Sequence, residues 1–277
     1  MTDARARTGT SRDVWLIAGA LILGGTLALV LLVRVAVDTA RGQRWDEAAR
    51  YAVSGPPATV HSLVEAMSLV SIGTVGVVLL GCSLVALARG RVLAALAALG
   101  LVAGANVTTQ VLKHVVIDRP DLLGLGIGNS LPSGHTTAVL SLAMAAVLVA
   151  PARVRWLVTL AAALAATLVG AGTVIARWHR PSDVLAATAV CAVWGGLVLL
   201  APLVRARASR PRPTRAPQHL AALAGAGAVG ALVVSWGVRP SGGSGNLLLA
   251  AGSLGAIGVA CVAVLGAFAH AVDRAWT

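Results

Sequence analysis

Charge is scarce in this chain, and carboxylate scarcer still: 10 acidic residues stand against 22 basic ones among 277 positions, and Lys113 is the only lysine. Charged residues reach 12% and aromatics 3%, whereas hydrophobic residues make up 57% and the mean hydropathy is +0.85. So little charge at this length excludes an ordinary water-soluble domain and places the chain in a bilayer. The net charge of +12 does not point to nucleic acid, because no soluble basic segment with interleaved aromatics is present to bind one. Cysteine is also sparse. Cys82, Cys191 and Cys261 each sit inside an apolar run and read as packing residues, not as a disulfide or metal set. No metal and no cofactor is expected. The bias of arginine over lysine matches a GC-rich bacterial genome.

What the chain has in abundance is long apolar runs. A hydrocarbon core about 30 Å thick needs about 20 helical residues, and eight runs approach that length: Val14 to Val33, Leu63 to Ala88, Val92 to Leu112, Thr136 to Ala150, Trp156 to Ala176, Val184 to Val204, Leu220 to Val238 and Leu247 to Val272. The first exceeds a signal-peptide core and is kept as a span. The fourth is short and begins nearer Pro132. The sequence therefore predicts an all-α polytopic membrane bundle: a six-span core over 1–204, a basic linker over 205–218 and a two-helix hairpin over 219–277. Between the first two spans, Asp38 to Pro57 reads as an interfacial helix or as a plain connection.

Arginine sets the expected orientation. Arg5, Arg7 and Arg12, then Arg89 and Arg91, then Arg153 and Arg155, then five arginines from Arg205 to Arg215, and lastly Arg274 fall on one side if the N-terminus is cytoplasmic. Both termini are then on the cytoplasmic side of a plasma membrane.

Three polar segments gather on the other side, where helices meet the outer surface: Lys113 to Pro120, Pro132 to His135 and Arg177 to Asp183. Ser133 is a natural N-cap, and the free N–H groups of Gly134 and His135 would face an anion. Lys113 and Arg119 supply fixed positive charge for a transferring phosphoryl group. Asp183 follows His179 by four residues, so its carboxylate can fix the imidazole tautomer and leave the other nitrogen free to attack. His135 is then available to protonate a leaving alkoxide.

These segments resemble the three signature motifs of the type 2 phosphatidic acid phosphatase and vanadium haloperoxidase superfamily, in its membrane lipid phosphatase branch. The resemblance covers the first six spans and leaves out everything from Arg205 onward. It implies a metal-independent phosphatase acting on a lipid phosphate or lipid pyrophosphate, with a phosphohistidine formed on His179, Asp183 assisting, His135 as general acid, and Lys113, Arg119, Ser133 and Gly134 holding the phosphate. Phosphatidic acid, phosphatidylglycerol phosphate and polyprenyl pyrophosphate all fit. The expected partners are that lipid substrate and the surrounding membrane lipids, with no nucleic acid; the oligomeric state is open.

Two departures from the family pattern stand out. Five residues separate Lys113 from Arg119 where the family has six, and Thr173 occupies the place of an arginine six residues before the nucleophile. Arg177 is the favoured substitute, ahead of Arg180. The missing arginine keeps one alternative in play: a lipid-binding or transport protein that retains the fold with little or no turnover. His114 reads as a neighbour of the site, Asp118 and Asp121 as loop-solvating acids in preference to metal ligands, and Gly100 with Gly104 as a close helix-packing stripe. His61, Glu65, His219 and His270 earn no role.

Overall fold

The computed structural model describes residues 2–126, 128–204 and 217–276. Among these residues lie ten α-helices: α1 (Thr2–Leu32), α2 (Ala40–Tyr51), α3 (Pro57–Ser68), α4 (Ile72–Ala88), α5 (Val92–Val111), α6 (Gly134–Val149), α7 (Arg155–Ile175), α8 (Pro181–Val204), α9 (Gln218–Ser235) and α10 (Gly243–Ala275). Short π-helical turns, Val33–Val37 and Leu112–Val116, prolong α1 and α5. A two-strand clip pairs β1 (Val53–Ser54) with β2 (Arg239–Pro240). The basic linker lies outside the described residues from 205 to 216, as do the side chains of Arg5 and Arg7.

Six helical stretches are long and apolar enough to span a membrane, within α1, α5, α7, α8, α9 and α10. The chain is an all-α, multi-pass membrane bundle. The second expected span is not one straight helix: α3 and α4 meet at a 58° bend. The cause is local. Ser71 adopts extended backbone and its hydroxyl accepts from Thr74 N at 3.2 Å, so it caps a new helix directly after α3 has ended. The fourth run forms α6, whose 16 residues cover about 24 Å, less than the hydrocarbon thickness. Asp38 to Pro57 contains a true helix, α2, capped by Thr39 through Gly42 N.

The core gathers on α8, whose apolar window is the most buried of the spans. Of the expected glycine stripe, Gly104 meets Trp194 of α8 so closely that a Cβ would lie 2.4 Å from the ring, and Trp194 Nε1 donates to Thr108 Oγ1 at 3.0 Å. Gly100 faces open space. The C-terminal hairpin is bolted to this core: buried Arg155 of α7 pairs with Asp273 of α10, Gln218 Nε2 of α9 donates to the same carboxylate at 2.8 Å, and Thr159 donates to Gln218 Oε1 at 2.9 Å. At that same end Arg91 reaches Val149 O and Trp276 O, and Arg274 pairs with Asp13. The helices alternate in direction, so the C-terminal end of α5, the start of α6 and the start of α8 meet at the opposite end.

Candidate active site

The turn from α7 into α8 presents the histidine. Helix α7 runs out at Ile175, and the carbonyl of Thr173 accepts from both Trp178 N at 2.9 Å and His179 N at 3.1 Å. The reversal places Arg177 in left-handed backbone, φ 61°, a conformation that costs a residue with a Cβ and persists only where the surroundings impose it. Pro181 then opens α8 and sets Asp183 in its first turn. The ring of His179 is buried, with Nδ1 3.1 Å from Asp183 Oδ2. A carboxylate only accepts, so Nδ1 carries a proton, and in the neutral ring Nε2 keeps its lone pair. The same Oδ2 accepts from Arg180 N at 3.0 Å and from Ser130 Oγ at 2.7 Å.

Helix α6 starts against this turn. Ser133 is fully buried, caps the helix through Thr136 N at 3.4 Å, and donates its own backbone N–H to Asp183 O at 2.9 Å. The starts of α6 and α8 are thus stapled together. Gly134 and His135 follow, half-buried, and the His135 ring lies 5.4 Å from that of Trp178. Lys113 sits in the π-turn that ends α5, the kind of helical irregularity that recurs at functional sites. Asn129 ties that turn down by donating to Lys113 O and Ile117 O, each at 3.0 Å. Arg119 is buried, donates Nη2 to Ala36 O at 3.4 Å, and leaves Nη1 buried without a hydrogen-bond partner among the described residues. A buried, unspent guanidinium nitrogen is costly unless an anion is meant to reach it.

Several polar members were not anticipated from the sequence, and three come from α2. Gln43 bridges Val37 O and Pro120 O at 2.7 Å each, holding the start of the Asp121 loop. Asp46 accepts from Ser182 N at 3.1 Å and from the Ser182 hydroxyl, and stands 3.7 Å from Arg119. Glu47 accepts from Arg180 Nε at 2.8 Å and pairs with Arg50. Ser130, in the loop before α6, is the fourth. A glutamine and two carboxylates at i, i+3 and i+4 on a short helix are a faint signal, readable only as a polar stripe on one face.

Arg177 is exposed, with its guanidinium over the Tyr51 ring at 4.9 Å, and does not join the buried cluster. Arg180 does: it is 3% exposed and donates Nη1 to Ser130 Oγ at 2.9 Å. His114 and Asp118 are exposed, and Asp121 closes its own loop by accepting from Leu125 N and Gly126 N, bonds that hold its carboxyl below the usual range. Among the described residues no three His, Cys, Asp or Glu side chains group so as to hold a metal ion.

Burial dominates the electrostatics around Arg119. It pushes Asp46 up to about 6, helped by Asp183 and opposed by the Ser182 hydrogen bonds and by Arg119, which at 3.7 Å is too far to win. Burial, then the neighbouring Arg180, lower Arg119 from its ordinary value. The folded state therefore binds the Asp46 proton more tightly than the unfolded chain, and the stability this contributes is full below about pH 4 and lost as pH rises through about 6. Asp46→Asn preserves the uncharged form. Its unfolding temperature in detergent, relative to wild type, should rise between about pH 4 and about pH 7; a difference that stays flat across that range would show that Asp46 does not titrate there.

Comparison with known proteins bears on the whole cluster. No curated protein and no solved structure matches the chain. A family model described as the PAP2 superfamily matches residues 71–207, from the cap of α4 to just past the end of α8, a stretch that contains Lys113, Arg119, Ser133, Gly134, His135, Arg177, His179 and Asp183. Helices α1 to α3 and the C-terminal hairpin fall outside it. Through residues 71–207, just under half of its length, the chain matches the PAP2 superfamily, a match that supports phosphoester hydrolysis in general.

Proposed function

We propose that the protein hydrolyses a lipid phosphate or lipid pyrophosphate at the outer face of a plasma membrane, through a phosphohistidine on His179. The observation that carries this reading is the buried His179–Asp183 pair at 3.1 Å, set against the start of α6 inside the family-matched segment. Nε2 of His179 attacks phosphorus while the P–O bond to the lipid breaks, and His135 gives its proton to the departing oxygen. Water then attacks the N–P bond, His135 takes a proton from it, and phosphate leaves with His179 restored. Lys113, Arg119 and the backbone at Ser133 and Gly134 hold the phosphoryl oxygens, where charge develops. Arg177, at the rim above Tyr51, meets the head group. The attacking group is an imidazole nitrogen and needs no metal-bound water.

The lipid class is supported by the surroundings of Asp46 and Ser182. These two line the polar end of an apolar groove of about 460 Å³, which shares Leu32, Val35, Ala36 and Leu185 with a second of about 660 Å³ between α1, α8 and α10. Along α10 the two extend from Leu248 to Ala267, about 28 Å of helix. A polar cluster at the head of a long apolar groove suits a phosphate borne on a hydrocarbon chain. The outward orientation is supported by the opposite end of the bundle, where Arg89, Arg91, Arg155 and Arg274 gather as cytoplasmic arginines do.

The test is phosphate release by the purified protein in detergent, with EDTA present, from phosphatidic acid, phosphatidylglycerol phosphate and polyprenyl pyrophosphate. Release from at least one is expected. Thr173, standing where the resemblance places an arginine, favours one rival, a lipid-binding or transport protein that turns nothing over; silence from a folded protein on all three lipids would move that rival to the front. Activity that returns only on adding a divalent metal would overturn the metal-free mechanism.

A further inference from the structure

We propose that Glu47, Arg180 and Ser130 are positioning residues for the nucleophile, a chain through which helix α2, outside the family-matched segment, holds the His179–Asp183 pair in register. The inference rests on the reading of His179 as nucleophile, but the chain itself is set by donor and acceptor chemistry. Ser130 owns one hydroxyl hydrogen. Asp183 Oδ2, at 2.7 Å, can only accept, so the hydrogen points there. Arg180 Nη1, at 2.9 Å, can only donate, so it fills a lone pair of the same oxygen and leaves the hydroxyl no other rotamer. Arg180 Nε is spent on Glu47 at 2.8 Å, and its backbone N–H donates to Asp183 Oδ2 at 3.0 Å. Every hydrogen bond from Glu47 to His179 therefore has one permitted direction.

Burial makes the chain consequential. The Arg180 side chain is 4% exposed, that of Glu47 12%, and that of Asp183 not at all, so bulk water competes weakly with these bonds. Asp183 Oδ1 is buried with no hydrogen-bond partner among the described residues, and the carboxylate depends wholly on what Oδ2 receives. Remove the Ser130 hydroxyl and Oδ2 keeps the imidazole and one backbone N–H, with nothing to stop the carboxylate rotating. Remove the Glu47 charge and Arg180 loses the anchor that aims Nη1. A lysine at 180 could not serve, because one ammonium cannot reach both Glu47 and Ser130 as the planar fork does.

The experiment measures kcat and KM for phosphatidic acid in detergent micelles and, in parallel, records the imidazole nitrogen spectrum of 15N-histidine-labelled protein, with the His179 signals identified by their loss in His179→Asn. Ser130→Ala and Glu47→Gln should each lower kcat by about 10- to 100-fold with KM within about 2-fold, the size expected for partners that orient a reacting group. The double variant should be no slower than Ser130→Ala, because both act through one chain. Ser130→Thr, which restores the hydroxyl, should recover most of the loss, and Arg44→Gln, an exposed change on the same helix, should do nothing. Ser130→Ala should also move the His179 Nδ1 signal. Multiplying losses in the double variant, a change confined to KM, or an unmoved Nδ1 signal would each overturn the proposal. If wild type releases no phosphate, the phosphatase reading falls on that result, and the nitrogen spectrum still decides whether the chain holds His179.

Discussion

His179→Ala should bring phosphate release down to the detergent blank, a loss of about 10⁵-fold or more on the best lipid. The size follows from the role. A group that only steadies charge leaves the rest of the site to work without it, whereas a nucleophile that forms the covalent bond has no substitute: among the described residues no other imidazole bonds to Asp183, and the expected general acid His135 lies across at Trp178. Because His135 acts only on the step that His179 begins, His179→Ala with His135→Ala should lose nothing further, as residues working as a unit do. Rapid quenching of the wild type with a phosphorus-labelled lipid should trap label on the protein through an acid-labile, base-stable bond, and His179→Ala should trap none. A variant that keeps within tenfold of the wild-type rate, or that still traps label, would remove His179 from the chemistry. The fold should survive the change, since the imidazole is held by one side-chain hydrogen bond at the mouth of α8 and the α6–α8 staple runs through the backbone of Ser133 and Asp183.

Much of this was readable from the residues alone, and the division between what was and was not has a physical basis. Apolar run length and helix capping are local properties, so the long spans and the Ser133-capped start of α6 were visible in order along the chain. The 58° bend was not, because the apolar pattern continues through Leu69 and Val70, although the helix stops at Ser68 and restarts only after the extended backbone at Ser71. Asp46 and Glu47 are illegible in the sequence for the opposite reason. Their partners, Ser182 and Arg180, lie more than 130 positions away, and no local period reveals such a pairing. Ser130 reads as one more loop serine until Asp183 and Arg180 close on it. The placement of Arg177 against Tyr51, with Arg180 buried, turns on the positive φ at Arg177, which no propensity assigns to arginine. Function was legible where the chemistry sits in short motifs, and hidden where the fold recruits support from a distant helix.

That distant support sharpens the expectation for Asp183→Asn, the second large effect. Oδ2 of Asp183 receives three donors, from His179, Arg180 and Ser130, and Oδ1 receives none among the described residues. An asparagine can therefore keep its amide oxygen where Oδ2 stands and turn its nitrogen into the unpartnered position, so the contacts and the α6–α8 staple persist. What disappears is the negative charge. His179 becomes cationic at nitrogen as the phosphoryl group transfers, and the carboxylate is the anion in contact with that ring, in a setting with little water to screen it. In hydrolase triads the same exchange costs about 10⁴ in kcat. A loss of about 10³- to 10⁴-fold is expected here, with KM little changed and the unfolding temperature near wild type. It should exceed the Ser130→Ala loss by at least an order of magnitude, because the serine orients the carboxylate whereas the asparagine removes its charge. A loss below tenfold would mean that the His179 ring needs orientation but no charge. Unfolding instead would mean that the donors around Oδ2 require an ionised acceptor to hold the helix starts together, and Asp183→Glu, which keeps the charge and lengthens the arm, would then separate charge from placement.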